Sequence, residues 1–212
     1  MFSGSKLIKL HIGICSVALH LDDIIIFEPP PWARRAFGLR KRPRPYWQSR
    51  ERSKYMREVR RLVDEVSSNA RSILDVGSNG CGNIDWWPAI PRRVSLDLET
   101  PYVAEGVESI RADFLKYEFR ETFDVVLCLQ VLEHIPDARA FAQKLLGVAN
   151  RHLVVSVPYR WEAGKCKHHI HDPVDETKLL SWFGRPPSRA RVVREGFANI
   201  TGSARLVCRY DL

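Results

Sequence analysis

The sequence predicts an α/β fold with a doubly wound, mainly parallel sheet that ends in a C-terminal antiparallel strand pair. After residue 68, short runs rich in Val, Ile and Leu recur along the chain. They are nearly continuous rather than alternating, which is typical of parallel strands covered on both faces. Helical or loop segments separate them, and this alternation predicts a doubly wound sheet. The predicted strands are 72–76, 94–98, 107–110, 123–129 and 152–157, with a closing pair at 190–193 and 204–210.

Two helices are predicted in the C-terminal half. Residues 137–150 carry an apolar stripe at helical spacing, and Asp137 stands where an N-cap is needed. Residues 175–183 form a second helical segment, which we expect to end at Gly184 because glycine readily adopts the left-handed conformation of a helix C-terminus.

The positive charge is concentrated in one segment. The chain has 212 residues, is 45% hydrophobic, and carries a formal net charge of +8. Residues 32–61 hold twelve Arg and Lys against two Glu, a net +10, which leaves −2 for the rest of the chain. The hydrophobic content of 45% is enough for the chain to bury a hydrophobic core. We therefore predict a near-neutral body with a basic segment that docks on an anionic surface or is simply solvated.

Three regions are predicted along the chain. Prolines at 29–31, 43 and 45 indicate an extended linker over 28–46, and apolar residues at helical spacing indicate an amphipathic helix within 48–66 that packs on the body. The predicted regions are an N-terminal extension, 1–31; a basic, Pro-containing arm with its helix, 32–68; and the main domain, 69–212.

Cysteine usage and the N-terminal apolar stretch indicate a cytoplasmic protein. The five cysteines are widely spaced with no Cys-x-x-Cys pair, so neither a disulfide scaffold nor a cysteine zinc site is predicted. Charged and histidine residues interrupt residues 7–27, which excludes a clean membrane span, and residues 21–24 offer no small-x-small cleavage site. We expect an added N-terminal strand or anchor instead.

A glycine-rich turn follows the first strand of the main domain. Residues 72–83 read as a buried strand that runs into glycines, which allow a sharp turn and a close approach of the backbone to a ligand. Asp97 ends the next strand, twenty-two positions after Asp75. A carboxylate at that point can accept hydrogen bonds from both ribose hydroxyls of a bound nucleoside.

Four motifs in chain order resemble those of the class I S-adenosylmethionine-dependent methyltransferases. They are Leu-Asp-Val-Gly-Ser at 74–78, Leu-Asp at 96–97, Ala-Asp-Phe at 112–114, and Phe-Asp-Val-Val at 123–126 through Val-Leu-Glu-His-Ile-Pro-Asp at 131–137. The resemblance covers residues 70–160. It implies the Rossmann-like class I methyltransferase fold, an enzyme that transfers methyl groups, and S-adenosylmethionine as cofactor.

The resemblance also implies roles for individual residues. The Gly-rich turn would lie under the methionine half of the cofactor, the acid of the second strand would hold the ribose, and the acid of the third strand would meet the adenine amino group. The implied cofactor residues are Asp75, Gly77, Ser78, Asn79 and Gly82 at the turn, Asp97 for the ribose, Asp113 for the adenine, Leu98 and Phe114 to sandwich it, and Leu129.

The sequence departs from the family pattern at two points. Asn79 takes the place of the middle glycine, and we expect the turn to survive because Asn tolerates a left-handed backbone better than other non-glycine residues. The segment Trp86-Trp87-Pro88 with Pro91 leaves room for only about two helical turns. We expect the tryptophans to fill the gap beside this short helix, in preference to shaping the ligand pocket.

Histidines near the predicted ligand edge are the catalytic candidates. Methyl transfer needs a positioned acceptor, and a base only if the acceptor must lose a proton. The candidates are His134, within the Glu-His pair, and His169 and His171 in the later cluster 168–172. On an extended chain adjacent side chains point to opposite sides, so the three clustered histidines should not converge, and we predict no metal. A structural role for the cluster remains an alternative.

The predicted function is O-methylation of a small-molecule, glycan or lipid-linked acceptor, with residues 158–184 as a lid. An RNA methyltransferase that uses the basic arm is one alternative, although the chain has no Asn/Asp-Pro-Pro-Tyr element and nucleic acid is not the expected partner. An NAD(P)-binding oxidoreductase is another, although the turn departs from Gly-x-Gly-x-x-Gly.

Overall fold

The computed structural model describes the backbone of residues 8–12 and 15–19, together with residues 50–195 and 203–212. The chain divides into two compact units, Met1–Pro43 and Arg44–Leu212. In the first unit, β1 (Ile8–Ile12) and β2 (Cys15–Leu19) pair in an antiparallel hairpin. The predicted linker 28–46 and the first part of the basic arm lie outside the described residues, and the predicted domain boundaries stay predictions.

The described residues of the second unit, 50–195 and 203–212, form three α-helices and seven strands. In chain order they are α1 (Lys54–Ser67), β3 (Ser72–Val76), β4 (Arg92–Asp97), β5 (Val107–Arg111), β6 (Phe123–Leu129), α2 (Ala138–Val148), β7 (Ala149–Pro158), α3 (Glu176–Phe183), β8 (Arg189–Arg194) and β9 (Ala204–Asp211). Short 3-10 helices lie at Asn83–Trp86 and Leu132–His134.

The seven strands form one sheet in the order β5-β4-β3-β6-β7-β9-β8. The first five are parallel, and β9 is antiparallel to both β7 and β8. The predicted fold class is confirmed. The chain runs outward from β3 through β4 to β5 and then returns to β6 on the other side of β3. Ligands of such sheets bind at this switch point, beyond the carboxyl ends of the strands.

Both faces of the sheet are covered, which explains the continuous apolar runs. On one face Met56 and Val59 of α1 are fully buried in a cluster with Ile73 of β3. On the other face Phe141 of α2 and Leu179 of α3 belong to the second cluster. The amphipathic helix predicted within 48–66 is therefore confirmed, as α1.

The segment between β3 and β4 is shorter than predicted. Instead of about two helical turns it forms only the 3-10 helix Asn83–Trp86, which Trp87 caps before Pro88. Trp87 is buried, and its indole nitrogen donates to Oδ1 of Asp64 in α1 at 2.7 Å. Trp86 lies edge-on to Trp87, 5.8 Å between ring centroids. The tryptophans fill the gap beneath α1, as predicted.

The predicted helix boundaries of α2 and α3 are also explained by their caps. Asp137 accepts from the amide of Ala140 at 2.9 Å, and Asp175 accepts from the amide of Lys178 at 3.0 Å. Gly184 ends α3 with a φ of +70°. Local side-chain chemistry thus sets both helix starts and the second helix end.

The cysteines are consistent with the predicted absence of a disulfide scaffold. The four whose side chains are described, Cys81, Cys128, Cys166 and Cys208, are free thiols. None of the helices in the described part of the chain is long and apolar enough to cross a bilayer.

Candidate functional site

The Gly-rich turn after β3 has the backbone that the sequence predicts. Gly77, Asn79 and Gly80 have φ values of +76°, +48° and +68°. The prediction that Asn79 adopts a left-handed conformation is therefore confirmed. The amides of Gly77 and Gly80 donate to the carbonyls of Leu96 and Thr100 at 2.8 and 2.6 Å. These bonds hold the turn against the end of β4, at the switch point of the sheet.

The floor of the turn is closely packed. A Cβ added at Gly77 would lie 2.5 Å from Cγ2 of Val131, and one at Gly82 would lie 2.9 Å from the ring of Tyr102. The buried Ser78 hydroxyl accepts from the Ser95 hydroxyl at 2.8 Å. A side chain at either glycine would therefore displace its neighbour.

Asp75 is a buried carboxyl beside this turn. Its side chain is 1% exposed, and Oδ2 accepts from the side-chain amide of Asn83 at 3.2 Å. Burial raises the pKa of Asp75 to about 7, while Asn83 and the positive charge of Arg50 oppose that rise. An ammonium group bound next to it would favour the ionised form.

Asp97 ties two loops together at the end of β4. Its Oδ2 accepts from the amide of Asn79 at 2.9 Å, and its Oδ1 accepts from the amides of Glu99 and Thr100 at 2.9 and 2.8 Å. The carboxylate is thereby oriented. Its Oδ1 already accepts two hydrogen bonds, and its Oδ2 has a second lone pair for a ligand hydroxyl. Leu98 beside it is 63% exposed.

The remaining predicted cofactor residues divide between surface and core. Asp113, after β5, accepts from the amide of Leu115 at 3.0 Å, and its Oδ2 lies 3.4 Å from Nζ of Lys116. Phe114 is 4% exposed, with its ring 4.7 Å from that of Phe141, and Leu129 is 3% exposed. The side chains of Phe114 and Leu129 are buried in the hydrophobic core, and their contact with a cofactor stays a prediction.

Arg50 is a site residue that the sequence analysis missed. Its Nε donates to the hydroxyl of Tyr55 at 2.8 Å, and its Nη2 donates to the carbonyl of Leu129 at the end of β6 at 3.3 Å. The basic segment therefore reaches the same edge as Asp75. Nothing in a run of twelve basic residues distinguishes this arginine before the chain is folded.

Glu133 is a buried acid in the 3-10 helix that follows β6. It is 1% exposed, and neither carboxyl oxygen has a hydrogen-bond partner among the residues that the structure describes. Burial raises the pKa of Glu133 to about 8. The sequence analysis noted the Glu-His pair but selected only His134 as a catalytic candidate.

The lid segment after β7 docks on the Glu-His pair. Nδ1 of His134 lies 2.9 Å from the carbonyl oxygen of His168, and the amide of Ile170 donates to the carbonyl of Glu133 at 3.0 Å. Burial lowers the pKa of His134, which favours its neutral form. A carbonyl only accepts hydrogen bonds, so the proton of this imidazole is on Nδ1 and Nε2 has a free lone pair.

The three clustered histidines do not converge. His169 faces His134, 4.8 Å between ring centroids, and its Nδ1 lies 2.8 Å from Oδ2 of the buried Asp172. Nε2 of His171 instead donates to the carbonyl of Ile135 at 2.7 Å, and the side chain of His168 is exposed. The structure brings two of the three catalytic candidates together and uses His171 to fasten the lid.

The comparisons with known proteins agree with this geometry. Residues 74–152 match a family model described as a methyltransferase domain. No curated protein sequence matches the chain.

Solved structures share the fold at low identity. The N-methyltransferase NodS from Bradyrhizobium japonicum, in complex with S-adenosylhomocysteine, is 15% identical with a TM-score of 0.57 over 74% of this chain and 86% of that one. The 1,6-didemethyltoxoflavin-N1-methyltransferase from Burkholderia thailandensis is 18% identical with a TM-score of 0.60 over 92% and 94%. Magnesium protoporphyrin IX methyltransferase from Synechocystis, with bound S-adenosylmethionine, is 20% identical with a TM-score of 0.52 over 84% and 89%.

The sequence motifs, the strand order and the family match therefore lead to the same conclusion: residues 74–152 form a methyltransferase domain, within a sheet that has the fold of the solved methyltransferases.

Proposed function

We propose that the protein transfers the methyl group to an oxygen atom of a small-molecule, glycan or lipid-linked acceptor. The observation that carries this proposal is the pair His134 and His169, whose rings meet edge-on, 4.8 Å between centroids, while both Nδ1 atoms contact hydrogen-bond acceptors. The Nε2 atoms are left to act on the acceptor. A hydroxyl has to lose its proton as the methyl group arrives, and such a pair can receive or hold it.

The lid supports an acceptor of limited size. Residues 158–184 supply His169, and Trp161 stacks on that imidazole at 5.4 Å between ring centroids. The guanidinium of Arg205 lies 4.6 Å above the ring of Trp161. This wall is built from the chain's own lid and last strand, with cationic and aromatic groups that suit a polar or anionic small molecule.

Cofactor use and the acceptor atom are tested separately. Calorimetric titration with S-adenosylmethionine, S-adenosylhomocysteine and NAD should show binding of the first two and not of NAD; the reverse result would remove the proposal in favour of an oxidoreductase. Transfer of labelled methyl groups into fractionated extracts, followed by mass spectrometry of the product, should then identify a methyl ether or ester. A product methylated on nitrogen would contradict the oxygen assignment.

A basic groove supports docking on an anionic surface. It encloses a cavity of about 720 Å³ and is lined by Lys54, Arg57, Glu58 and Arg61 of α1, Arg191, Val192, Val193 and Arg194 of β8, and Tyr159. Hydrogen bonding with Arg61 lowers the pKa of the buried Glu58, which also binds Arg191 at 2.9 Å. Glu58 thus orients two of the five basic side chains that line the groove. Five positive charges against one negative charge leave the groove with a net positive charge.

We infer that this groove holds the anionic headgroup region of a lipid-linked acceptor. Vesicles containing phosphatidylglycerol should bind the protein, and added salt should weaken the binding because the contact is electrostatic. Arg57→Glu with Arg194→Glu should reduce binding at least tenfold, whereas Arg139→Glu on the exposed side of α2 should not. An RNA oligonucleotide could instead bind the protein more tightly than the vesicles do. If the double variant Arg57→Glu with Arg194→Glu also loses that RNA binding, the RNA methyltransferase alternative replaces this inference.

A further inference from the structure

Three side chains from two separate segments meet at the acceptor side of the sheet. Glu133, His134 and His169 each offer one ligand atom, and these atoms all lie within 4.8 Å of one another. Glu133 and His134 come from the 3-10 helix after β6, and His169 comes from the lid. The hydrogen bond from the amide of Ile170 to the carbonyl of Glu133 holds the two segments together.

Both imidazoles are oriented as metal ligands usually are. Nδ1 of His134 is held by the carbonyl of His168, and Nδ1 of His169 is held by Oδ2 of Asp172, a carboxyl that is 1% exposed. Metal-bound histidines typically donate their second ring N–H to a backbone carbonyl or a carboxylate in this way, which fixes the tautomer and the ring orientation. In each ring Nε2 is the nitrogen left for a ligand.

The carboxyl of Glu133 points independently to a missing partner. It is almost wholly buried, and both of its oxygens lack hydrogen-bond partners among the described residues. A buried polar group without a partner costs free energy, so proteins usually satisfy such groups. A cation between Glu133 and the two imidazoles would satisfy this one.

We propose that Glu133, His134 and His169 bind a divalent transition-metal ion such as Zn²⁺, Mn²⁺ or Fe²⁺. Two imidazoles and one carboxylate suit these ions, and three protein ligands leave coordination positions open for a substrate oxygen. The site rests on the proposed function and changes how the hydroxyl proton would leave: with both Nε2 atoms bound to the ion, the imidazoles would not receive it, and an acceptor oxygen bound to the ion would release it more readily to solvent water.

This proposal departs from the absence of metal expected from the sequence. The three histidines of the cluster 168–172 do not converge, as expected, but one of them meets a Glu-His pair from a different part of the chain. The ligand set exists only in the folded protein, so the spacing of residues within the cluster could not indicate it.

The site is tested by metal binding without cofactor or acceptor. Full-length protein without an affinity tag, stripped by a chelator, is titrated with Zn²⁺ against a chromophoric competitor and with Mn²⁺ by electron paramagnetic resonance. The wild type should bind one equivalent of at least one of these ions. Glu133→Gln and His169→Ala should each weaken that binding at least tenfold.

His168→Ala is the matched control, because its exposed side chain is adjacent to His169 and only its backbone oxygen contacts His134. The bound ion should raise the melting temperature of the wild type and the control but not of the ligand variants. Absence of stoichiometric binding in the wild type overturns the proposal, as does undiminished binding in Glu133→Gln and His169→Ala. If one of the two ligand variants does not fold, metal binding by the wild type and by the other ligand variant tests the proposal. Methyl transfer to oxygen by metal-free protein would overturn the metal's role and leave the proposed function standing.

Discussion

The indole nitrogen of Trp87 donates a hydrogen bond to Oδ1 of Asp64 at 2.7 Å, and this contact joins the loop below the Gly-rich turn to α1. Trp87 is 5% exposed in the core cluster that α1 forms with the sheet. Trp87→Phe removes the hydrogen bond and part of the buried ring, so we expect a loss of about 1–3 kcal/mol in the free energy of unfolding. Urea unfolding measures it. Trp86→Phe, at a half-buried position, should lower the free energy of unfolding by less. Equal losses in the two variants would contradict the conclusion that the hydrogen bond and burial of Trp87 stabilise the fold.

Gly77 is the position of the turn where a side chain is least tolerable. Gly77→Ala places a methyl group against Val131 and forces alanine to a φ of +76°. We expect affinity for S-adenosylhomocysteine to fall at least tenfold, together with a loss of stability of about 1–3 kcal/mol. Calorimetry and urea unfolding check the two effects.

Gly147 in α2 is the control for that substitution. A Cβ there meets nothing within 4 Å, so Gly147→Ala should raise the free energy of unfolding by about 0.5–1 kcal/mol and leave cofactor affinity unchanged. The interpretation of the turn would be wrong if both glycine variants bound the cofactor like the wild type.

Asp97 should be needed for cofactor binding beyond its role in the loops. Asp97→Ala removes the acceptor for three backbone amides and, if Asp97 is the ribose-binding acid, the charge-assisted hydrogen bonds to the ribose. We therefore expect cofactor affinity to weaken by about 2 kcal/mol or more. Asp124→Ala is matched to it, because Asp124 accepts from the amide of Arg71 at the opposite edge of the sheet. That variant should lose stability and keep its affinity. Equal affinities of the two variants would show that Asp97 is not the ribose-binding acid.

Asp75 should make stability fall as pH rises. Burial raises the pKa of Asp75 from 3.8 to about 7, so between these values the folded protein holds a proton that the unfolded chain has released. The free energy of unfolding therefore decreases with pH across this window. Asp75→Asn cannot ionise and should gain stability relative to the wild type as pH rises from 5 to 8.

Urea unfolding of both proteins at pH 5 and pH 8 measures the change. The raised pKa of Glu133 contributes to both proteins and cancels in the comparison. A constant difference between wild type and variant over this pH range would contradict the ionisation assigned to Asp75.

The sequence by itself determined the elements whose signals are local. The continuous apolar run of β6 reflects burial on both faces, and the caps Asp137 and Asp175 satisfy amides within three residues of themselves. The turn after β3 was predictable for the same reason, since left-handed backbone favours glycine and asparagine at fixed positions. These features need no knowledge of distant residues, so the fold class and the backbone of the Gly-rich turn could be predicted.

Only the tertiary structure decided which distant side chains meet. Arg50 reaches the end of β6, Trp87 pairs with α1, and His169 faces His134 beside Glu133, in each case across long stretches of chain. The 3-10 helix after the Gly-rich turn is shorter than expected because α1 and the tryptophans fill the space that a longer helix would cover. Such contacts depend on how packed elements place their side chains, and that placement is absent from the local pattern of residues.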